Sequence, residues 1–187
     1  MEGKKKSLIS SIMCLCGAVA AVTAIGIGAN SIFSIQSMSV TSYETYEEAV
    51  DEGYKTEIKS QVQSAISVIQ SEYDEYLAGE KTEEEAMEHA KEFVRAMRYR
   101  DDQSGYFWID ALDYTLVVHG VLTDEEGDNR KDLKDQNGVM ITQSVVNVCK
   151  SADKSGFNEF YFTKSDGVTV APKIAYSELF ERWGWCV

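Results

Sequence analysis

GYFWIDALDYTLVVH, residues 105–119, is the stretch on which the fold turns. GYFWID is rich in aromatic and β-branched side chains, Asp113 occupies a turn, and TLVVH returns with the same texture. That is the composition of a β-hairpin. Downstream, residues 123–138 form a charged, Gly-containing loop, and residues 139–152 show helical spacing at Met140, Val145, Val148 and Cys149. Residues 157–162, 168–176 and 183–187 read as three more strands. The second half is therefore predicted to be a five-stranded antiparallel sheet.

Working back from the hairpin, the chain turns helical. Tyr43, Tyr46, Val50, Tyr54, Ile58, Val62, Ala65, Ile69, Tyr73 and Tyr76 follow one another in steps of three or four, an amphipathic stripe. The spacing predicts one helix of about 35 residues, or about 50 Å at 1.5 Å per residue. Leu77-Ala78-Gly79 closes it. Thr82 followed by Glu85 then forms the signature of a capping box for a second helix. Its stripe is Ala86, Met87, Ala90, Phe93, Val94 and Met97. His89 lies beside that stripe among acids and reads as a surface histidine. Helices followed by a sheet place the domain in the α+β class.

The N-terminus does not belong to a soluble domain. Lys4, Lys5 and Lys6 precede a stretch, residues 7–43, without a single charge. A membrane-spanning helix needs about 20 apolar residues, whereas the apolar part of a cleaved signal peptide is usually about 7–15. Ala18-Val19-Ala20, the small-residue triplet a cleavage site would need, falls in the middle of the run. The expected organisation is a basic N-terminus over residues 1–6, a transmembrane signal anchor over 7–36 and an extracytoplasmic domain over 37–187. The lysines put the N-terminus in the cytoplasm. Ala20, Ala24 and Gly28 recur every four residues, spacing that lets two such helices approach closely. The last strand runs into Val187 and is expected to be incomplete.

Charge and motifs restrict function. With 18 Lys+Arg against 31 Asp+Glu the chain carries a net charge of −13, which opposes nucleic-acid binding. No G-x-S-x-G, H-E-x-x-H, P-loop or C-x-x-C motif is present and there are only two His, so no enzymatic activity, cofactor or metal is expected. The acidic loop (Asp124, Glu125, Glu126, Asp128, Asp132, Asp135) lacks calcium-loop spacing and reads as solvated. The sequence leaves open whether Cys149 and Cys186 pair.

Read in order, the membrane span, the long helix, MRYRDDQSGYFWIDALDYTLVVH, LKDQNGVMI, GFNEFYF and APKIAYSELFERWGW resemble the single Cache domains of bacterial membrane receptors. The likeness is to the sCache_2 type found in methyl-accepting chemotaxis proteins. It implies a PAS-like sheet carried on the long helix and a pocket for a small molecule, a short organic acid of two to four carbons in much of the family. It also implies a second span and a cytoplasmic signalling region beyond residue 187 that meets downstream signalling proteins; the receptor is expected to be a homodimer. That region would be a methyl-accepting one or, alternatively, a histidine kinase or cyclic-dinucleotide enzyme. A surface interaction protein without a small ligand is a further alternative. Matching the family pattern, Arg98 at the end of the second helix and Lys173 on the fourth strand are the candidate cations. Tyr106 and Trp108, two residues apart on one strand face, are candidate walls, and His119 a candidate donor. The chain departs from the family at Gly120, where Pro is usual, and at Phe162, where Trp is frequent.

Overall fold

A computed structural model describes the backbone of residues 2–187 and the side chains of residues 13–36, 45–46 and 48–187. The contacts divide the chain into two compact units, Met1–Glu52 and Gly53–Val187. Helix α1 is assigned to Glu2–Leu77. Within the first unit, Met13–Gln36 has a mean hydropathy of 1.8 and is wholly exposed, long and apolar enough to cross a membrane. Cys14 and Cys16 lie on this exposed surface. Tyr46 and Val50 of the helical stripe are exposed as well, and the side chain of Tyr43 lies outside the described residues.

In the second unit the stripe does what its spacing predicts: Ile58, Val62, Ala65 and Ile69 are buried and join one core. Helix α2 (Glu83–Ala96) begins at the expected capping box. The Glu85 backbone N–H donates to the Thr82 hydroxyl at 3.2 Å, and the Thr82 N–H donates to the Glu85 carboxylate at 2.8 Å. Ala86, Ala90 and Val94 are buried, whereas Phe93 is exposed, one position round the helix from the core face. His89 is also exposed and lies 3.0 Å from Lys81 Nζ.

The sheet is five-stranded and antiparallel, as its sequence pattern predicts. Strands β3 (Trp108–Ala111), β4 (Leu116–His119), β5 (Ser155–Thr163), β6 (Val170–Phe180) and β7 (Trp185–Cys186) lie in the order β4-β3-β7-β6-β5. The last strand in sequence is thus central in space, pairing Asp110 with Cys186 on one side and Leu179 with Cys186 on the other. Helix α3 (Ile141–Cys149) packs on the sheet through a second buried cluster with Phe160, Ala175 and Cys186. Cys149 and Cys186 are buried free thiols in that cluster; the neighbouring Cys149 and then burial push the Cys186 thiol up.

One element has no counterpart in the sequence reading. Strand β1 (Arg98–Tyr99) pairs with β2 (Gly105–Tyr106) as a separate two-stranded ribbon. Arg98 is therefore a strand residue, not the last turn of the second helix. Met97 turns extended at φ −62°, ψ 133°, which ends α2 at Ala96. Tyr99 follows and lays its ring across Gly105: a Cβ built there would lie 2.4 Å from the ring. The Tyr99 ring also lies against Phe107, tilted, at 5.4 Å between centroids. Only the missing side chain of Gly105 leaves space for this stack. Gly105→Ala should destabilise the domain by about 1–3 kcal/mol through overpacking. In urea unfolding that cost should shrink when Tyr99→Ala is added, because the double variant removes the clash.

Candidate functional site

Behind the β1–β2 ribbon lies a cavity of about 360 Å³, within the range of small-molecule sites. One wall is the face of α1 that carries Tyr54, Ile58 and Val62; the other walls come from the ribbon, the sheet and α3. Pairing across the strands dictates which side chains meet there. Trp108 stands opposite His119, and Phe160 opposite Lys173, and directly opposed residues share a sheet face. The result is an aromatic belt. The His119 ring centroid lies 5.2 Å from Tyr106, 6.4 Å from Trp108 and 6.1 Å from Phe162, and Trp108 is 6.3 Å from Phe160.

Four of the five sequence candidates, Tyr106, Trp108, His119 and Lys173, line this cavity. Tyr106 is fixed by a 2.9 Å bond from its hydroxyl to the Thr163 carbonyl, and burial pushes its phenol up to about 12, so it stays protonated. Lys173 Nζ lies 4.9 Å above the Tyr106 ring. Burial, with Lys164 and Arg100 nearby, lowers the Lys173 ammonium below its ordinary value. It forms no ion pair among the described residues. Arg98, the fifth candidate, does not line the cavity. Its guanidinium donates to the carbonyls of Arg95 at 2.8 Å, Met97 at 2.7 Å and Gly120. A Cβ on Gly120 would come within 3.0 Å of Arg98 Nη1. Gly at 120 thus admits the Arg98 side chain, which ties the ribbon to the end of β4.

His119 is buried and its tautomer is set by the backbone. Nδ1 lies 3.0 Å from the Val121 nitrogen and 2.9 Å from the Leu122 nitrogen, so it accepts two N–H donors and cannot carry a proton. The ring proton therefore sits on Nε2, which has no partner among the described residues. Burial, then the Arg130 charge, pushes the imidazole down to about 3. A neutral ring with one free N–H serves as a donor and not as a cation. The His119 backbone N–H donates to Glu126, which Arg95 grips with two bonds of 3.0 and 2.7 Å.

Two cations escaped the sequence reading. Arg130 lies in the charged loop expected to be solvated, yet it is only 8% exposed and lines the cavity. Nη2 donates to Asp110 Oδ1 at 2.9 Å, and Asp110 Oδ2 accepts the Trp108 indole N–H at 2.9 Å. Arg130 Nε and Nη1 are buried with no hydrogen-bond partner; Glu125 Oε2 stands 3.9 Å from Nη1, beyond bonding distance. Burial raises the Asp110 carboxyl, opposed by Arg130. The second is Arg100, on the turn between β1 and β2. Neither position could be found by periodicity, because both belong to loops whose direction the folded sheet decides. The lining thus holds three cationic side chains and, among the described residues, no Asp or Glu.

Residues 50–187 match the family model for Single Cache domain 2, sCache_2. The chain belongs to this family. It is 27% identical over 126 residues to the methyl-accepting chemotaxis protein McpP of Pseudomonas putida, covering 67% of this chain and 23% of that protein. It is 24% identical over 151 residues to the sensor histidine kinase MctS of Rhizobium johnstonii, covering 81% of this chain and 31% of the kinase. The chain thus spans less than a third of either curated relative. Among solved structures it resembles a periplasmic sensor domain of a chemotaxis protein (27% identity, TM-score 0.66, covering 70% of this chain and 89% of that one). It also resembles a Cache chemosensory domain whose structure is described as the basis for carboxylic acid recognition (25% identity, TM-score 0.69, covering 74% and 92%). The five-stranded sheet and its helices are those of a Cache sensor domain, a fold shared here by relatives with two different outputs.

The geometry of His119 fixes the sign of a pH dependence in the Cache domain. The unfolded imidazole binds a proton near pH 6.5, its ordinary value, while the folded one resists protonation down to about pH 3. The stability that depends on a neutral His119 is complete above about pH 6.5 and is lost as pH falls through that value, with a slope approaching about 1.4 kcal/mol per pH unit. His119→Gln should flatten the decline of urea-unfolding stability between about pH 6.5 and 5, a window above most carboxylate titration.

Proposed function

We propose that the Cache domain binds a short carboxylate, of two to four carbons, in the cavity behind the β1–β2 ribbon, on the extracytoplasmic side of a membrane receptor. The observation that carries this reading is the lining: it holds Lys173, Arg130 and Arg100 and, among the described residues, no Asp or Glu. Lys173 forms no ion pair among the described residues, and two Arg130 nitrogens, Nε and Nη1, are buried without a hydrogen-bond partner. A buried donor without a partner costs free energy, and an anion that supplies the missing acceptor recovers it. The Nε2–H of His119 adds a neutral donor. The aromatic belt matches a short hydrocarbon chain. An amine or a zwitterionic amino acid would bring an ammonium group against a lining that, among the described residues, holds no acid to receive it.

The overall charge of −13 does not oppose this. At physiological salt the Debye length is about 8 Å, so distant surface acids are screened while the cations in the cavity act at contact. Arg98 serves this site as a positioning residue, through its hold on Gly120. The similarity to a carboxylic-acid-recognising Cache domain supports the ligand class. The span Met13–Gln36, with three lysines before it, supports an uncleaved anchor with its N-terminus in the cytoplasm. The receptor acts as a homodimer, without enzymatic activity in this domain. Ligand binding passes a small shift of α1 toward the membrane as a change in the populations of two packings. The similarity to McpP supports a chemoreceptor output, and that to MctS a kinase as the alternative.

Thermal unfolding in the presence of acetate, propionate, lactate or pyruvate tests the ligand class. A carboxylate at 100 times its Kd adds about 2.7 kcal/mol, worth roughly 5–10 °C for a domain of this size. Lys173→Gln should weaken that ligand roughly ten- to hundredfold, the loss of one charge-assisted bond of about 1.5–3 kcal/mol. A panel in which amino acids or amines shift the transition and carboxylates do not would refute the reading.

A further inference from the structure

The three cations of the cavity differ in how firmly they are held. Arg130 is locked to Asp110 in a pair whose side chains are 7% and 1% exposed. Lys173 has no ionic partner among the described residues. Arg100 is intermediate: Nη2 reaches Glu57 Oε2 at 2.8 Å and Nε reaches both Glu57 oxygens at 3.2 Å, but the two side chains are about one-third exposed. An ion pair open to water to that extent is weak and easily exchanged.

Its location gives the exchange a consequence. Glu57 sits on α1 three residues after Tyr54 and one before Ile58, and both of these line the cavity. The Arg100 guanidinium lies 5.2 Å from the Tyr54 ring and 5.4 Å from the Tyr99 ring, so it is clamped between α1 and the ribbon. Arg100 and Gln103 of the connecting turn are both left-handed, at φ 69° and 55°, a conformation non-glycine residues adopt only when other contacts impose it. Arg100 is also near enough to Lys173 for the two charges to repel. An anion placed between them would remove that repulsion and offer Arg100 a second acceptor.

We propose that Arg100 is a partner-exchange residue: a carboxylate in the cavity takes its guanidinium from Glu57, and the release of Glu57 is how α1 senses that the cavity is filled. This rests on the carboxylate reading of the site. Glu57 is then a competitor of the ligand, held in reserve on the helix that must respond. The exchange requires no new bond type, only the replacement of one carboxylate by another at the same guanidinium.

The test compares wild type, Glu57→Gln and Arg100→Gln as the 187-residue chain in detergent, by calorimetric titration with acetate, propionate, lactate and pyruvate. Glu57→Gln should bind the recognised carboxylate several-fold more tightly, since a competitor has been removed, and Arg100→Gln more weakly. Loss of a merely structural contact would not tighten binding. Hydrogen exchange of residues 54–61 supplies the second readout. Saturating carboxylate should accelerate it in wild type, whereas Glu57→Gln should already exchange fast without ligand. Unchanged or weaker binding by Glu57→Gln, or slower exchange of residues 54–61 in ligand-bound wild type, overturns the proposal while leaving the carboxylate site standing. If wild type binds none of the four acids, the carboxylate reading fails and this one fails with it.

Discussion

Asp110 is a carboxylate with no access to water, set in the middle of the sheet on β3. One oxygen accepts from the Trp108 indole and the other from Arg130. It therefore orients an aromatic wall and a cation of the cavity together, from a strand pinned between β4 and the C-terminal strand β7. A charge in such a place is tolerable only when paired, and removing one member of a buried pair costs far more than the pair contributes. The loop that delivers Arg130 is shaped to reach it. The Arg130 N–H donates to Tyr114, the Leu116 N–H to Asp128, and Asp135 collects N–H groups from Asn137, Val139 and Tyr161. The pair and the loop depend on each other, and the cavity depends on both.

The electrostatics of the molecule are those of two opposite environments. Acids outnumber bases in the chain as a whole, while the cavity lining holds three cations and, among the described residues, no acid. Net charge describes long-range behaviour and solubility, and screening separates it from what happens at contact. His119 shows the same division at the scale of one ring. Burial first and then the Arg130 charge, against the opposing pull of Glu126, keep it neutral, and two backbone donors choose its tautomer. A lining without acids among the described residues and with donors already in place favours an anion.

Period and punctuation made much of the fold legible. The stripe from Ile58 to Ile69, the capping box of Thr82 and Glu85, and the β-texture of residues 105–119 are local signals. Each depends on residues three, four or two positions apart, so each survives without knowledge of the rest. The aromatic candidates could be picked out for the same reason, since Tyr106 and Trp108 lie two residues apart and flank the start of the hairpin. Arg98 was misplaced because a helix and a short strand are distinguished there by Met97 turning extended, and that turn is favoured by Tyr99 stacking on Gly105 in the ribbon.

The sequence by itself determined the apolar segment, the helices, the strands of the main sheet and the aromatic part of the lining, because these follow from side-chain periodicity and composition. Only the tertiary structure decided that β7 is central, that Arg130 is buried and half-unpaired, and that Arg100 lies between Glu57 and the cavity. Those facts join residues tens of positions apart through loops. A loop's path is set by where its ends are anchored and by which polar groups it must satisfy, not by any repeat within it.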